Sequence, residues 1–176
     1  VINYVTINKD ALVVAAAGND NNENELFPGA YNYVLSVAAT TSSDKRASFS
    51  SYGTWVDVSA PGQGIYATLS SGYGPSDGTS MASPVTAGSA ALVKSAFPFL
   101  NGLQVGEQLR VSCDPMTTES QWTAGKMGKG RINLFAAVSG ITSPSIVMTQ
   151  KFVTDNGDDA FVPGDTLDIT ATFVNY

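Results

Sequence analysis

The chain has 176 residues, of which 43% are apolar and 14% are charged, with 17 glycines and 8 prolines. This composition is typical of a compact, loop-rich globular protein and excludes a disordered, fibrous or coiled-coil one. The net charge of −6 disfavours nucleic acid and anionic membrane surfaces as partners. No apolar run is long enough for a transmembrane helix, and the first residues lack the pattern of a secretory signal segment.

The cysteine and histidine counts limit the chemistry further. A single cysteine, Cys113, excludes an internal disulfide and a multi-cysteine metal site. The sequence contains no histidine, so it has neither an imidazole metal ligand nor an imidazole base. Any reaction that pairs a nucleophile with histidine must therefore obtain the histidine from outside this sequence.

Three short apolar runs in the first sixty residues predict buried strands, at Leu12–Ala17, Val34–Ala39 and Trp55–Ala60. Because apolar and polar residues do not alternate in the first two runs, we expect burial on both faces, as in a parallel sheet. A hairpin follows, with predicted strands Ile65–Leu69 and Gly72–Asp77.

Three helices are predicted after the hairpin. From Ser80 to Lys94, small and apolar residues occupy nearly every position, which indicates a helix buried almost all round. Leu103–Cys113 has the pattern of an amphipathic helix, and Ile132–Val138 that of a third, shorter one.

The hydrophobic pattern changes to a period of two after Thr142. Alternation over Ile146–Phe152 and Leu167–Phe173 predicts antiparallel β structure. We therefore place a domain boundary near Thr142, with one domain over residues 1–142 and the beginning of an accessory β domain over residues 143–176.

Ser80 stands where an irregular loop enters the first predicted helix, within the segment Gly78–Pro84 (GTSMASP). Small neighbours leave its hydroxyl accessible, and the free amides of a helix N-terminus point toward it. This arrangement suits a nucleophilic serine whose backbone N–H then donates to the resulting oxyanion. The alternative is that Ser80 only caps the helix, a role that serine often takes.

The segment Gly78–Pro84 resembles the active-serine motif of the subtilisin-like serine proteases, the subtilases. The resemblance covers residues 1–140. The other segments that resemble this family, in the order expected for it, are Val13–Asn19, Phe27–Ala39, Ala47–Gly53, Val56–Gly62 and Gly128–Val138.

The resemblance implies the C-terminal half of a serine endopeptidase domain. The implied fold is α/β, a partial three-layer subtilisin-like fold with a mostly parallel sheet, followed by the start of an all-β, sandwich-like domain. Peptide bonds would be hydrolysed through an acyl-enzyme on Ser80, with the triad aspartate and histidine supplied by an absent N-terminal half. The 176 residues alone are therefore expected to be inactive. The implied partners are a polypeptide substrate and that missing half, the implied location is extracellular, and the chemistry needs no cofactor.

The same resemblance implies roles for residues around the first strand. Asn19 is the implied side-chain donor of the oxyanion hole; its alternative role is that of a turn-forming asparagine after a strand. Ala16, Ala17 and Gly18 are implied to form one wall of the primary specificity pocket, with Leu26 near its base. Sheet packing is a compatible second role for these residues.

Asp57 is a candidate ligand for a structural calcium ion. In some subtilases the matching carboxylate helps to hold a weak cation site, with carbonyl groups near Gly29, Tyr31 and Val34 as the other ligands. An aspartate that accepts hydrogen bonds from loop amides is the favoured alternative.

Two other functions remain open. The absence of histidine is compatible with a subtilase-like scaffold retained for binding, without catalysis. The β tail could instead be the functional part, a module that localises the protein on a polymer or a cell surface. Because Ser80 and Asn19 are both present, the sequence favours the enzyme.

Overall fold

A computed structural model of the chain describes residues 1–116, 123–141, 146–154 and 168–175. The chain divides into two compact units, Val1–Ser143 and Pro144–Tyr176. No helix within the described ranges is both long enough and apolar enough to cross a membrane.

The larger unit is built on a parallel sheet. Its three strands, in spatial order, are β1 (Val13–Ala16), β2 (Val34–Thr40) and β3 (Val58–Pro61). The central strand β2 is buried along its whole length, whereas β1 lies at an edge and, among the described strands, pairs only with β2. The three predicted strands are confirmed, but the third begins at Val58 because the Val56 N–H donates to the Gly53 carbonyl at 3.2 Å, closing a turn.

The predicted hairpin is also confirmed. Strands β4 (Ile65–Leu69) and β5 (Gly72–Ser76) pair antiparallel, with Leu69 opposite Gly72, so that two serines form the turn. Strand β5 leads through Asp77 directly into the first helix.

Three helices complete this unit: α1 (Thr79–Ala96), α2 (Gly102–Val111) and α3 (Leu134–Ser139). Helix α2 begins with a capping box between Asn101 and Gln104, which satisfies amides that the helix leaves unpaired. Helix α1 packs on all three strands and on both other helices. The largest fully buried apolar side chains between these layers are Val37, Val58, Val93 and Leu109.

One expectation about α1 is wrong in this chain, because the helix is buried on one face only. Its buried side chains lie against the sheet, whereas Ala87, Gly88 and Ala91 are exposed and Leu92 is 54% exposed. A groove of about 240 Å³ runs beside this face between α1, α2 and β1. The sequence predicts an apolar helix but cannot tell whether both of its faces have neighbours within the same 176 residues.

The smaller unit contains an antiparallel pair, β6 (Ile146–Thr154) and β7 (Asp168–Asn175). The pairing register shifts between Met148 and Gln150. These strands agree with the alternating pattern from which they were predicted, and the segment between them lies outside the described residues.

Candidate active site

Ser80 is the second residue of α1, and it is exposed. The backbone before it is anchored to the end of the sheet, because the Gly78 N–H donates to the Gly62 carbonyl at 2.8 Å. Gly62 directly follows β3, so the helix entrance and the sheet share one rigid connection. Ser80 is thus presented to solvent on a fixed backbone.

Asn19 lies beyond the end of β1, and its side chain is oriented by Thr79. The Asn19 Oδ1 atom accepts from the Thr79 N–H at 2.9 Å and from the Thr79 hydroxyl at 3.0 Å. The Thr79 hydroxyl in turn accepts from the Gly18 N–H at 3.1 Å. Because both bonds occupy the carbonyl end of the side chain, the amide NH₂ is left free to face the start of α1.

The amide of Asn19 and the backbone N–H of Ser80 approach the same point. A Cβ atom placed on Gly78 would lie 3.5 Å from the Asn19 Nδ2 atom and 3.5 Å from the Ser80 nitrogen. Two N–H groups whose nitrogen atoms lie this close together, beside an exposed serine hydroxyl, have the composition of an oxyanion hole. The structure therefore brings together two residues, 61 positions apart, that the sequence nominated separately.

Thr79 was missed at the sequence level, although it belongs to the serine motif. It is fully buried, and its hydroxyl accepts one hydrogen bond while donating another. A threonine at the first position of a helix has its hydroxyl close to the helix entrance, and this feature of the sequence could have indicated a role for Thr79. Its partner could not be read from the sequence because the contact is non-local.

The three residues nominated for the pocket wall and Leu26, nominated for its base, lie next to one another. Ala16 ends β1, and the Ala17 N–H extends the pairing by donating to the Val37 carbonyl at 2.9 Å. Gly18 has a φ of +104°, and a Cβ there would lie only 2.8 Å from the Leu26 Cδ2 atom. Glycine is therefore required at this position, and Leu26 packs directly against it.

The Asp57 carboxylate accepts a hydrogen bond from a backbone amide. Its Oδ2 atom accepts from the Ser36 N–H at 2.8 Å, and the Tyr31 carbonyl, another nominated ligand, accepts from the Val34 N–H at 3.3 Å. Among the described residues, no three acidic, histidine or cysteine side chains group as metal ligands would. These contacts fit the alternative of an aspartate that binds loop amides better than a cation site, and the calcium ion stays a prediction.

Burial raises the pKa of the Asp57 carboxyl from 3.8 to about 6, and the bond from the Ser36 N–H opposes this only in part. Between about pH 4 and pH 6 the folded state then binds more protons than the unfolded state. We expect the free energy of unfolding to fall as the pH rises through this range. Asp57→Asn cannot ionise and should flatten that dependence in urea unfolding measured at several pH values. An unchanged slope in the variant would contradict the assignment.

The sequence matches the model of the subtilase family, Peptidase_S8, over residues 1–130. It is 40% identical over 139 residues to the thermophilic serine proteinase of Bacillus sp. strain AK1, covering 78% of this chain and 33% of that protein. It is 38% identical over 138 residues to thermitase of Thermoactinomyces vulgaris, covering 78% of this chain and 47% of the relative.

The comparison with solved structures also finds a protease. The fold is similar to that of a protease from Pseudoalteromonas arctica PAMC 21717, with a TM-score of 0.71 and 35% identity over 78% of this chain and 44% of that one. The chain belongs to the subtilase family, and its predicted α/β fold with a parallel sheet is confirmed. It spans about a third to a half of the length of the relatives it matches.

Proposed function

We propose that the protein to which this chain belongs is a serine endopeptidase that hydrolyses peptide bonds through an acyl-enzyme on Ser80. Membership of the subtilase family and the serine proteinases among its relatives support a serine protease function, and the family implies polypeptide substrates. The observation that carries the detailed proposal is that the Asn19 amide nitrogen and the Ser80 backbone nitrogen both lie beside Gly78.

In the proposed reaction, the Ser80 hydroxyl oxygen attacks the carbonyl carbon of the scissile peptide bond and gives its proton to a base. The carbonyl oxygen becomes negatively charged, and the Asn19 amide and the Ser80 N–H donate hydrogen bonds to it. The leaving amine takes the proton as the C–N bond breaks, and water then hydrolyses the acyl-enzyme. Because the sequence has no histidine, a histidine base would have to come from outside this chain. The carboxylate that orients it would also lie upstream, since subtilase triads run Asp, His, Ser along the chain.

The exposed face of α1 and the free edge of β1 support a division of the peptidase domain between these residues and another half. Parallel sheets are normally covered on both faces and extended on both sides by helices and strands of the same domain. Here the edge strand and the uncovered helix face border one apolar groove. Its apolar lining residues are Leu12, Val14, Ala87, Ala90, Ala91 and Val105. We propose that the other half of the peptidase domain packs at this groove.

The remaining features follow from the same proposal. The wall formed by Ala16, Ala17 and Gly18 would lie along the substrate side chain, with Leu26 at the base of the pocket. Residues 143–176 would begin an accessory β domain, which the pairing of β6 with β7 supports. An extracellular location is part of the proposal because secretion is usual for proteases of this family.

Labelling with an active-serine reagent tests the proposal. We expect a fluorophosphonate to modify Ser80 in the complete protein and to leave the isolated residues 1–176 unlabelled and without peptide turnover. In the isolated chain the serine has no base and keeps an ordinary hydroxyl. A complete protein that folds but resists labelling would identify the alternative, a scaffold that binds without catalysis.

A further inference from the structure

The loop Ala47–Tyr52 contacts the backbone on both sides of Asn19 through one residue. The Ser51 N–H donates to the Gly18 carbonyl at 2.9 Å, and the Ser51 Oγ atom accepts from the Asp20 N–H at 3.2 Å. Gly18 and Asp20 are the immediate neighbours of Asn19 in the sequence. Ser51 itself is 2% exposed and is not one of the residues assigned to the site above.

Ser51 is held from behind by its own loop. The Ser50 hydroxyl donates to the Ser51 carbonyl at 3.0 Å. The Arg46 guanidinium donates to the Ser50 carbonyl at 2.6 Å and lies over the ring of Tyr52, 4.8 Å from its centroid. Because its own movement is restricted, a residue fixed in this way can set the position of a neighbouring backbone segment.

The loop and the turn after β1 are joined at two further places. The Asn21 N–H donates to the Phe49 carbonyl at 2.9 Å, and the Tyr52 N–H donates to the Asn22 carbonyl at 3.0 Å. Ser51 is the member of this series closest to Asn19, with one bond before it and one after it. Thr79 binds the side chain of Asn19, whereas Ser51 binds the backbone of the residues on either side of it.

We propose that Ser51 is a positioning residue that holds the backbone of Asn19 in the geometry needed for oxyanion stabilisation, an inference that rests on the function proposed above. A donor to a transition-state charge has to be placed within about 0.5 Å, and a misplacement of about 1 Å costs up to about 10² in rate. Without the Ser51 hydroxyl, the Asp20 N–H is released to water and the chain after Asn19 gains freedom. Because the bond from the Asp20 N–H to the Ser51 hydroxyl is long and Asp20 is exposed, we expect kcat to fall about tenfold, which is below that upper limit.

The test compares kcat and KM of Ser51→Ala with those of a matched variant, Ser59→Ala, in the complete protein. Ser59 is a fully buried serine of β3 whose hydroxyl donates to the Met127 carbonyl at 2.8 Å. Ser51→Ala should lower kcat about tenfold with little change in KM. Ser59→Ala should lower the Tm at least as much, because it leaves a buried carbonyl unpaired, and yet it should keep the parent kcat.

A second comparison isolates the route through Asn19. In an Asn19→Ala background, Ser51→Ala should have almost no further effect on kcat, since the group that it positions is absent. An equal loss in both backgrounds, or an unchanged kcat where Asn19 is intact, would overturn the inference while leaving the role of Asn19 standing. An unchanged kcat in Asn19→Ala itself would overturn the role proposed for Asn19, and the inference with it.

A near-isosteric pair keeps the test valid if Ser51→Ala fails to fold. Ser51→Thr keeps the hydroxyl and Ser51→Val removes it, while the two side chains have almost the same volume. The threonine variant should have about a tenfold higher kcat than the valine variant. Equal kcat values for the two would contradict a role for the hydroxyl.

Discussion

Ser80→Ala in the complete protein is expected to lower kcat for peptide hydrolysis by about 10⁶, the size of the loss known from subtilisin, a member of this family, and not a value derived from this chain. The reason is that no acyl-enzyme can form when the attacking oxygen is absent, so the reaction loses its covalent route. A slow residual reaction should remain, because the converging donors still stabilise charge on a carbonyl attacked by water.

The measurement is turnover of a chromogenic peptide by purified protein, with Ser95→Ala as the control. Ser95 is an exposed serine near the end of the same helix, α1, so its replacement changes a comparable side chain without touching the site. The control should keep the parent kcat. If Ser80→Ala retained activity within about tenfold of the parent, Ser80 would not be the nucleophile.

Asn19→Leu has the second largest expected effect, a loss of about 10²–10³ in kcat, a magnitude also taken from subtilisin. Leucine has nearly the same shape as asparagine but cannot donate a hydrogen bond. Because the oxyanion exists only in the transition state, KM should change little. A rise in KM at constant kcat would show that Asn19 binds substrate instead.

Asn19→Asp separates the two ends of this side chain. The carboxylate still accepts from the N–H and hydroxyl of Thr79, as the Asn19 Oδ1 atom does at 2.9 and 3.0 Å, but it has no N–H to donate. This variant should lose at least as much kcat as Asn19→Leu while keeping the contact with Thr79, because its negative charge also repels the oxyanion. Asn24→Leu, an exposed asparagine in the same loop, should keep the parent activity.

The secondary structure was largely predictable because local apolar patterns determine it. The runs that became β1 and β2 have no alternation, and the hairpin of β4 and β5 is set by a two-residue turn. The start of β3 was less accessible, since the turn closed by Gly53 and Val56 takes residues that would otherwise extend the strand. Burial of α1 could not be predicted, because it depends on what packs against the helix and not on the helix itself.

The residues proposed for the site could be nominated from the sequence, whereas the contacts that support them could not. Ser80 and Asn19 belong to motifs whose residue types and order are specific. Thr79 and Ser51 form hydrogen bonds to residues 18–20, which lie 31 to 61 positions away in the sequence. Such contacts leave no periodic pattern, so only the folded arrangement reveals them.

The parallel register of the sheet has a consequence for how the length of this chain can vary. Strands β1 and β3 both run toward the same end of the sheet, where Asn19 follows β1 and Gly62 follows β3. The Gly62 carbonyl accepts from the Gly78 N–H, and this bond fixes the residue that precedes α1. One residue inserted within either strand would move its end by about 3.3 Å, which is more than a hydrogen-bonded site tolerates. Insertions in the exposed turn over residues 42–45 leave both strand ends in place. Variation in length among related sequences should therefore concentrate in such turns, while the spacing from each strand to the site stays constant.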